Sequence, residues 1–147
     1  MKKIILLFIV ILVLIITGCS DRKEKNKVEN NSSYEVISSM KVTINNKEYS
    51  VKLEDNKTTR SFLTLLPQKF IMNELNGNEK YVYLDSSLPT NSSNIKHINA
   101  GDVMLFGNNC LVIFYKSFDT SYSYTKIGYI DNLDNLGDGS ITVTFEK

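Results

Sequence analysis

The chain has 147 residues, 22% of them charged and 42% hydrophobic, with a formal net charge of +1. This near-neutral balance excludes a nucleic-acid-binding protein that relies on a strong basic field, and the length is that of one domain. Two cysteines are too few for a disulfide scaffold or a four-thiolate zinc site, and the single histidine, His97, excludes chemistry that needs a histidine pair.

The N-terminal residues are typical of a secretory signal. Lys2 and Lys3 precede an uninterrupted apolar run at 4–16. That run has the length of a signal peptide and is shorter than the about 20 apolar residues of a membrane-spanning helix. It leads into ITGC at 16–19, which resembles the bacterial lipobox. The alternative interpretation is an uncleaved membrane anchor.

The lipobox resemblance implies that Cys19 is diacylglycerated and becomes the first mature residue once the signal peptide, residues 1–18, is removed. Two acyl chains are enough for stable anchoring. Loss of Lys2 and Lys3 leaves 15 Lys and Arg against 16 Asp and Glu, a net charge of −1. The lipid, and not electrostatic attraction, would therefore hold the protein on the membrane. We expect an extracytoplasmic protein anchored through Cys19, and the abundance of Lys, Asn and Ile favours a Gram-positive host.

The segment at 19–39 differs from the rest of the chain. It is polar, mixed in charge and too poor in apolar residues to offset the entropy lost on ordering. We interpret it as a flexible tether between the membrane and a folded domain at 40–147.

From residue 40 the chain has the pattern of a β protein. Apolar and polar residues alternate at 40–44 and 49–53, as they do in half-buried strands. Asn45 and Asn46 lie between these segments and tolerate positive φ, so the sequence predicts a hairpin turn there.

A short helix is expected next. Thr58 is a candidate N-cap, Phe62 and Leu66 share one helical face, and Pro67 ends the pattern. The helix is therefore predicted at about 58–66.

Short strands and turns make up the remainder. Strands are predicted at 70–72, 81–84, 103–106, 110–115, 126–130 and 141–145, loops at 85–99 and 117–125, and a short helical turn near 131–136. Many short strands at close spacing with one helix predict a mainly β fold, a barrel or a sandwich.

Several motifs, taken in order, resemble the compact bacterial cyclophilin-like proteins. KTTRSFLTLL at 57–66 is similar to the first cyclophilin helix, and AGDVMLFG at 100–107, LVIFY at 111–115 and SYTKIGYI at 123–130 follow in the family's order. The resemblance covers 40–147. It implies a closed β-barrel with the helix capping one end.

The same resemblance bears on enzymatic activity. Cyclophilins isomerise prolyl bonds with an arginine near the prolyl nitrogen, set among phenylalanines, a glutamine and a histidine. The places of the arginine, glutamine and histidine fall at Val82 or Tyr83, at Cys110 and at Tyr124, and the domain's one arginine, Arg60, lies on the predicted helix. We therefore expect no isomerase activity; the alternative is a divergent peptidyl-prolyl isomerase of the cell envelope.

Aromatic residues predict a ligand groove. Tyr115, Phe118, Tyr122 and Tyr124 cluster around the loop after the apolar strand, where aromatic side chains would suit a binding site at a barrel mouth. The alternative is that some of them cover the core. With two residues from the strands, the candidate groove residues are Tyr83, Phe114, Tyr115, Phe118, Tyr122 and Tyr124.

The groove is expected as an open cleft between the strands at 81–84 and 110–115. No cofactor or metal site is predicted, because the acidic run Asp131, Asp134 and Asp138 lacks the glycine and glutamate placement of an EF-hand. The sequence thus predicts a lipid-anchored, cyclophilin-like module that binds a peptide or protein ligand and no nucleic acid. A passive structural partner of an envelope complex is a further alternative.

Overall fold

A computed structural model describes residues 37–147, so the predicted signal peptide at 1–18, Cys19 and most of the predicted tether at 19–39 lie outside the described residues. The elements in chain order are β1 (Ser39–Ile44), β2 (Lys47–Leu53), α1 (Lys57–Thr64), β3 (Gln68–Leu75), β4 (Glu79–Tyr83), β5 (Ser93–Asn94), β6 (His97–Ile98), β7 (Asp102–Phe106), β8 (Cys110–Phe114), β9 (Phe118–Asp119), β10 (Ser123–Ile130) and β11 (Ile141–Glu146). In this part of the chain, no helix has the length and apolar character needed to cross a bilayer.

Eight antiparallel strands close into a barrel in the order β2-β1-β11-β3-β4-β8-β7-β10. The barrel closes because β10 pairs back onto β2, with Gly128 opposite Leu53 and Ile130 opposite Val51. The short strand β5 extends the sheet beyond β10, and β6 pairs with β9. The mainly β fold and the closed barrel predicted from the sequence are confirmed.

The first hairpin follows directly from its residues. Met40, Val42 and Ile44 of β1 are buried, whereas Lys41 between them is exposed. The turn after β1 places two asparagines at φ 46° and 70°, which matches the positive φ that two-residue hairpin turns require.

The helix α1 begins one residue earlier and ends two residues earlier than predicted. Its N-cap is Asn56, whose side-chain oxygen accepts a 2.9 Å hydrogen bond from the Thr59 N–H, and Thr58 lies inside the first turn. The helix packs onto the barrel through Phe62, whose ring meets Phe145 edge to face at 5.4 Å.

The short helical turn expected near 131–136 is instead an irregular loop between β10 and β11. Leu133 and Leu136 pack against the barrel core, while Asp134 accepts hydrogen bonds from Lys47 and Tyr49 of β2. Side-chain contacts to the strands, and not helical backbone bonds, hold this loop in place.

Strand β8 is buried on both of its faces, and this property positions the candidate site. Leu111 and Ile113 belong to the core inside the barrel, whereas Cys110, Val112 and Phe114 belong to a second cluster on the outer face. Because side chains alternate along a strand, both faces need apolar residues. The segments that carry β6 and β9 cover part of the outer face and leave the rest open.

Candidate binding site

The outer face of the barrel carries an open pocket of about 310 Å³. Its most buried lining residues are Cys110 and Val112 of β8 and Tyr124 of β10. Alternate residues of β4, Tyr81 and Tyr83, form one wall, because residues two apart on a strand project to the same side.

Aromatic rings surround the mouth of this pocket. Tyr83 and Tyr122 are each 64% exposed, and Phe106 is 43% exposed. The Phe106 ring meets that of Tyr122 at 6.0 Å and that of Tyr124 at 5.5 Å, and Tyr81 meets Tyr83 at 5.9 Å. Such contacts between rings hold the aromatic side chains in fixed orientations around the opening.

Glu79 of β4 is the only charged side chain among the described residues that line the pocket. It is 9% exposed, and neither a hydrogen-bond donor nor a cation within residues 37–147 contacts its carboxyl group. Burial raises the pKa of Glu79 above its ordinary value, and the nearby Glu74 carboxylate raises it further. The pocket therefore holds one carboxyl group that has no partner among the described residues.

The neighbouring buried charges are, by contrast, fully paired. Lys80 has no exposed surface; its Nζ donates to Glu74 and to the carbonyls of Gly137 and Gly139 at 2.6 and 2.8 Å. Glu74 also accepts from the Tyr115 hydroxyl at 2.8 Å.

These contacts decide how Glu74 titrates. Burial acts to raise the pKa of Glu74, but the hydrogen bonds from Lys80 and Tyr115 outweigh it and lower the pKa. Burial and the bond to Glu74 raise the pKa of Tyr115 to about 12. All three ammonium protons of Lys80 are engaged away from the pocket, so Lys80 does not neutralise Glu79.

The remaining titratable groups at the floor of the pocket are neutral at physiological pH. Burial, together with the charge of Glu79, raises the pKa of the Cys110 thiol to about 11 and that of Tyr124 to about 12. A thiol with this pKa is a poor nucleophile. The pocket is therefore suited to binding and not to thiolate chemistry.

A model of the cyclophilin-like family matches residues 42–146. The chain belongs to the cyclophilin-like family. A hypothetical protein from Archaeoglobus fulgidus, known from a solution structure, is 22% identical and shares the fold with a TM-score of 0.51, over 74% of this chain and 93% of that one. A search of the curated proteins found no match.

Three of the pocket residues lie at positions where the sequence analysis expected cyclophilin site residues. The resemblance to cyclophilins puts the family's arginine, glutamine and histidine at Val82 or Tyr83, at Cys110 and at Tyr124. Tyr83, Cys110 and Tyr124 all line the outer pocket, whereas Val82 packs against the interior core. The residues at the three pocket positions, Tyr83, Cys110 and Tyr124, carry no positive charge.

The structure brings together three of the six predicted groove residues, Tyr83, Tyr122 and Tyr124, in the outer pocket. Phe114 is fully buried beneath it, with its ring 5.4 Å from that of Tyr124. Phe118 lines an adjoining cavity of about 220 Å³.

Tyr115 lies apart from this group, because its hydroxyl is bonded to Glu74. The cleft expected between the strands at 81–84 and 110–115 is absent, because β4 and β8 pair directly, with Tyr81 opposite Val112. The pocket lies across the outer face of these strands instead.

Sequence reasoning missed Glu79, Tyr81 and Phe106, all of which line the pocket. The available signal was the period of two on β4, which places Glu79 and Tyr81 on the same side as the predicted Tyr83. Phe106 had no such signal, because its place beside Tyr122 depends on the pairing of β7 with β10.

The other chemically suggestive residues lie outside the pocket. Arg60 of α1 is paired with Asp55, and the His97 ring nitrogen Nδ1 lies 2.6 Å from the Asp119 carboxylate. Within residues 37–147, the His, Cys, Asp and Glu side chains form no group of three or more that could hold a metal ion.

Proposed function

We propose that this cyclophilin-like protein is a ligand-binding module whose site is the outer aromatic pocket, without prolyl isomerase activity. The observation that carries the proposal is the pocket itself, in which the exposed rings of Tyr83, Phe106 and Tyr122 surround a buried floor. Large rings kept in water at a concave surface are typical of binding sites, since a ligand can cover them.

Nuclear magnetic resonance titration tests the binding site. A panel of proline-containing tetrapeptides and of small cationic, anionic and neutral organic molecules is added to the ¹⁵N-labelled chain from residue 20 onward. We expect at least one class of probe to give saturable shifts that are concentrated on β4, β8 and the residues around Tyr122.

Substitution at the rim is the control for this titration. Tyr83→Ala and Tyr122→Ala remove exposed rings and should abolish the shifts, whereas Ile71→Ala, an equally exposed residue outside the pocket, should leave them unchanged. The proposal fails if no probe shifts the pocket residues, or if the two tyrosine variants bind as the parent does.

The absence of isomerase activity is proposed because the pocket lacks a positively charged side chain among the described residues. Loss of a group that stabilises developing charge in a transition state costs about 100- to 1,000-fold in rate. No lysine or arginine is among the described residues that line the pocket, and a tyrosine hydroxyl donates a hydrogen bond without a positive charge. We expect the chain at micromolar concentration to leave the cis–trans exchange rate of a proline peptide at its background value. A clear acceleration above background would contradict this proposal and favour the divergent isomerase, and its loss in Arg60→Ala would identify Arg60 as the cation responsible.

The site of action is proposed from the N-terminal residues. The lipobox-like segment that ends at Cys19 supports an extracytoplasmic protein held on the membrane by a diacylglyceryl group. Metabolic labelling with a fatty acid should mark the parent chain and not the Cys19→Ser variant, which should also remain uncleaved. Label that persists in Cys19→Ser would contradict the anchor.

A further inference from the structure

The unpartnered carboxyl group of Glu79 is the feature of the pocket that most requires an explanation. Buried polar groups in folded proteins almost always have hydrogen-bond partners, and an isolated buried carboxylate is costly. The nearby Glu74 shows the usual solution, since Lys80, Tyr115 and a backbone N–H all donate to it. Glu79 has no such donor within residues 37–147, although it faces an open pocket.

The rings around Glu79 favour the same kind of ligand as the carboxyl group. The face of an aromatic ring carries partial negative charge and attracts a cation that lies within about 6 Å of its centre. Tyr81, Tyr83, Phe106 and Tyr122 line the pocket together with Glu79, so a positive group inside it would lie among aromatic rings as well as beside a carboxyl group.

Among residues 37–147, no cation competes for this position. Lys80 is committed to Glu74 and two carbonyls, and no described lysine or arginine lines the pocket or the adjoining cavity. That cavity shares Glu79 with the pocket and adds a second carboxylate, Asp119, which lies 2.6 Å from the His97 ring nitrogen. An anionic ligand would therefore meet the Glu79 carboxyl group, which has no cation among the described residues, whereas a cation would relieve its charge.

The size of the pocket limits the ligand. A volume of about 310 Å³ lies at the lower end of the range for small-molecule sites, so the pocket fits a small head group and not a folded partner.

We propose, on the basis of the ligand-binding function above, that the pocket binds an organic cation, an ammonium or quaternary ammonium group, with Glu79 as its counter-charge and the surrounding rings as its cage. The group belongs either to a free small molecule or to a lysine-type side chain of a peptide. Both sources present the same chemistry to the pocket.

Matched probes test this proposal in the same ¹⁵N-labelled chain. The probes are choline, its neutral carbon analogue 3,3-dimethylbutanol, and an acetylated trimethyllysine amide. We expect the cations to bind at least about tenfold more tightly than the neutral analogue, the scale of a partly desolvated cation–π contact beside an opposite charge. Tighter binding of choline would indicate a free small molecule, and tighter binding of the trimethyllysine derivative would indicate a peptide.

Two substitutions separate the contribution of the Glu79 charge to cation binding from that of the aromatic rings. Glu79→Gln removes the coulombic attraction of the carboxylate, so it should weaken cation binding about tenfold or more and leave the neutral analogue unchanged. Tyr122→Leu, at an exposed rim position, should weaken the cations selectively by removing a ring face. The matched control Glu54→Gln removes an exposed carboxyl group outside the pocket and should have no effect.

Two results would overturn the inference, and they differ in what they leave standing. If the neutral analogue binds as tightly as choline and Glu79→Gln changes neither, the pocket is a binding site but not one for cations. If neither these probes nor any member of the broader panel shifts the pocket residues, the ligand-binding function fails as well.

Discussion

Glu74 and Glu79 are close in sequence, yet their surroundings move their pKa values in opposite directions. Hydrogen bonds from Lys80 and Tyr115 overcome the effect of burial at Glu74 and lower its pKa. At Glu79, burial acts without any donor to offset it, and the pKa rises. A donor on the neighbouring strand therefore decides which carboxyl group stabilises the fold and which is left for a ligand.

The raised pKa of Glu79 predicts a pH-dependent gain in stability for Glu79→Gln. Because the folded state holds this proton to higher pH than the unfolded state, stability is lost as pH rises through the folded pKa. The variant should therefore melt at a higher temperature than the parent at pH 7, with a difference that vanishes toward about pH 3.5, below the ordinary glutamate pKa. Differential scanning calorimetry checks this. The control Glu54→Gln should leave the melting temperature unchanged at both pH values. A lower melting temperature for Glu79→Gln at pH 7 would contradict it.

Removal of Lys80 should have the opposite effect on stability. Lys80→Met leaves Glu74 without its cation and two carbonyls without a donor, so the free energy of unfolding should fall by about 3 kcal/mol or more. Chemical denaturation measures this change. Lys41→Met, which breaks exposed ion pairs with Glu48 and Glu146, should cost far less than Lys80→Met, because solvent screens such pairs. Equal losses of unfolding free energy in the two variants would show that the contacts of Lys80 stabilise the fold no more than a surface ion pair does.

At the scale of elements, helix α1 is held at its start by a residue that serves two segments. The Asn56 side chain accepts from the Thr59 N–H at 2.9 Å and donates to the Lys126 carbonyl of β10 at 2.8 Å. The cap thus attaches the helix to the strand that closes the barrel.

Two substitutions at Asn56 should separate these roles. Asn56→Ala loses both bonds and should lower the free energy of unfolding by about 1–2 kcal/mol, whereas Asn56→Ser keeps a cap acceptor, loses only the bond to Lys126 and should lose less. Thermal or chemical unfolding of both variants measures the difference. If Asn56→Ser were as damaging as Asn56→Ala, the bond to β10 and not the cap would be the stabilising contact.

At the scale of the whole molecule, closure of the barrel depends on one glycine. Gly128 of β10 lies opposite Leu53 of β2, and a Cβ atom at Gly128 would collide with the Lys52 carbonyl and come within 2.8 Å of Val51 Cγ1. The two strands can approach this closely only because residue 128 has no side chain.

Gly128→Ala should therefore open the seam between β2 and β10. We expect a loss of about 1–3 kcal/mol, typical of overpacking, and faster amide exchange confined to these two strands. Ser50→Ala, an exposed change on β2, should stay within about 0.5 kcal/mol of the parent. If amide exchange on β2 and β10 were unchanged in Gly128→Ala, the two strands would accommodate the added Cβ atom and keep their hydrogen bonds, which would contradict this prediction.

Some of this architecture could be predicted from the sequence because it depends on neighbours in the chain. The alternation at 40–44 gave the face of β1 that is buried, and the paired asparagines gave the first hairpin, since both signals are local. The N-cap was misassigned to Thr58 because Asn56 and Thr58 are both good capping residues, and the bond to β10 that favours Asn56 comes from 70 residues away.

The sequence by itself determined the main strands and the first hairpin turn, since these follow from backbone preferences and from the alternation of side chains. It also showed which aromatic residues are available for a site. Only the tertiary structure decided where the site lies. Pairing of β4 with β8 and of β7 with β10 placed Tyr83, Phe106 and Tyr122 around one opening and buried Phe114 beneath it. The same pairing left Glu79 without a donor among residues 37–147, because burial and charge compensation arise between strands that are distant in the chain.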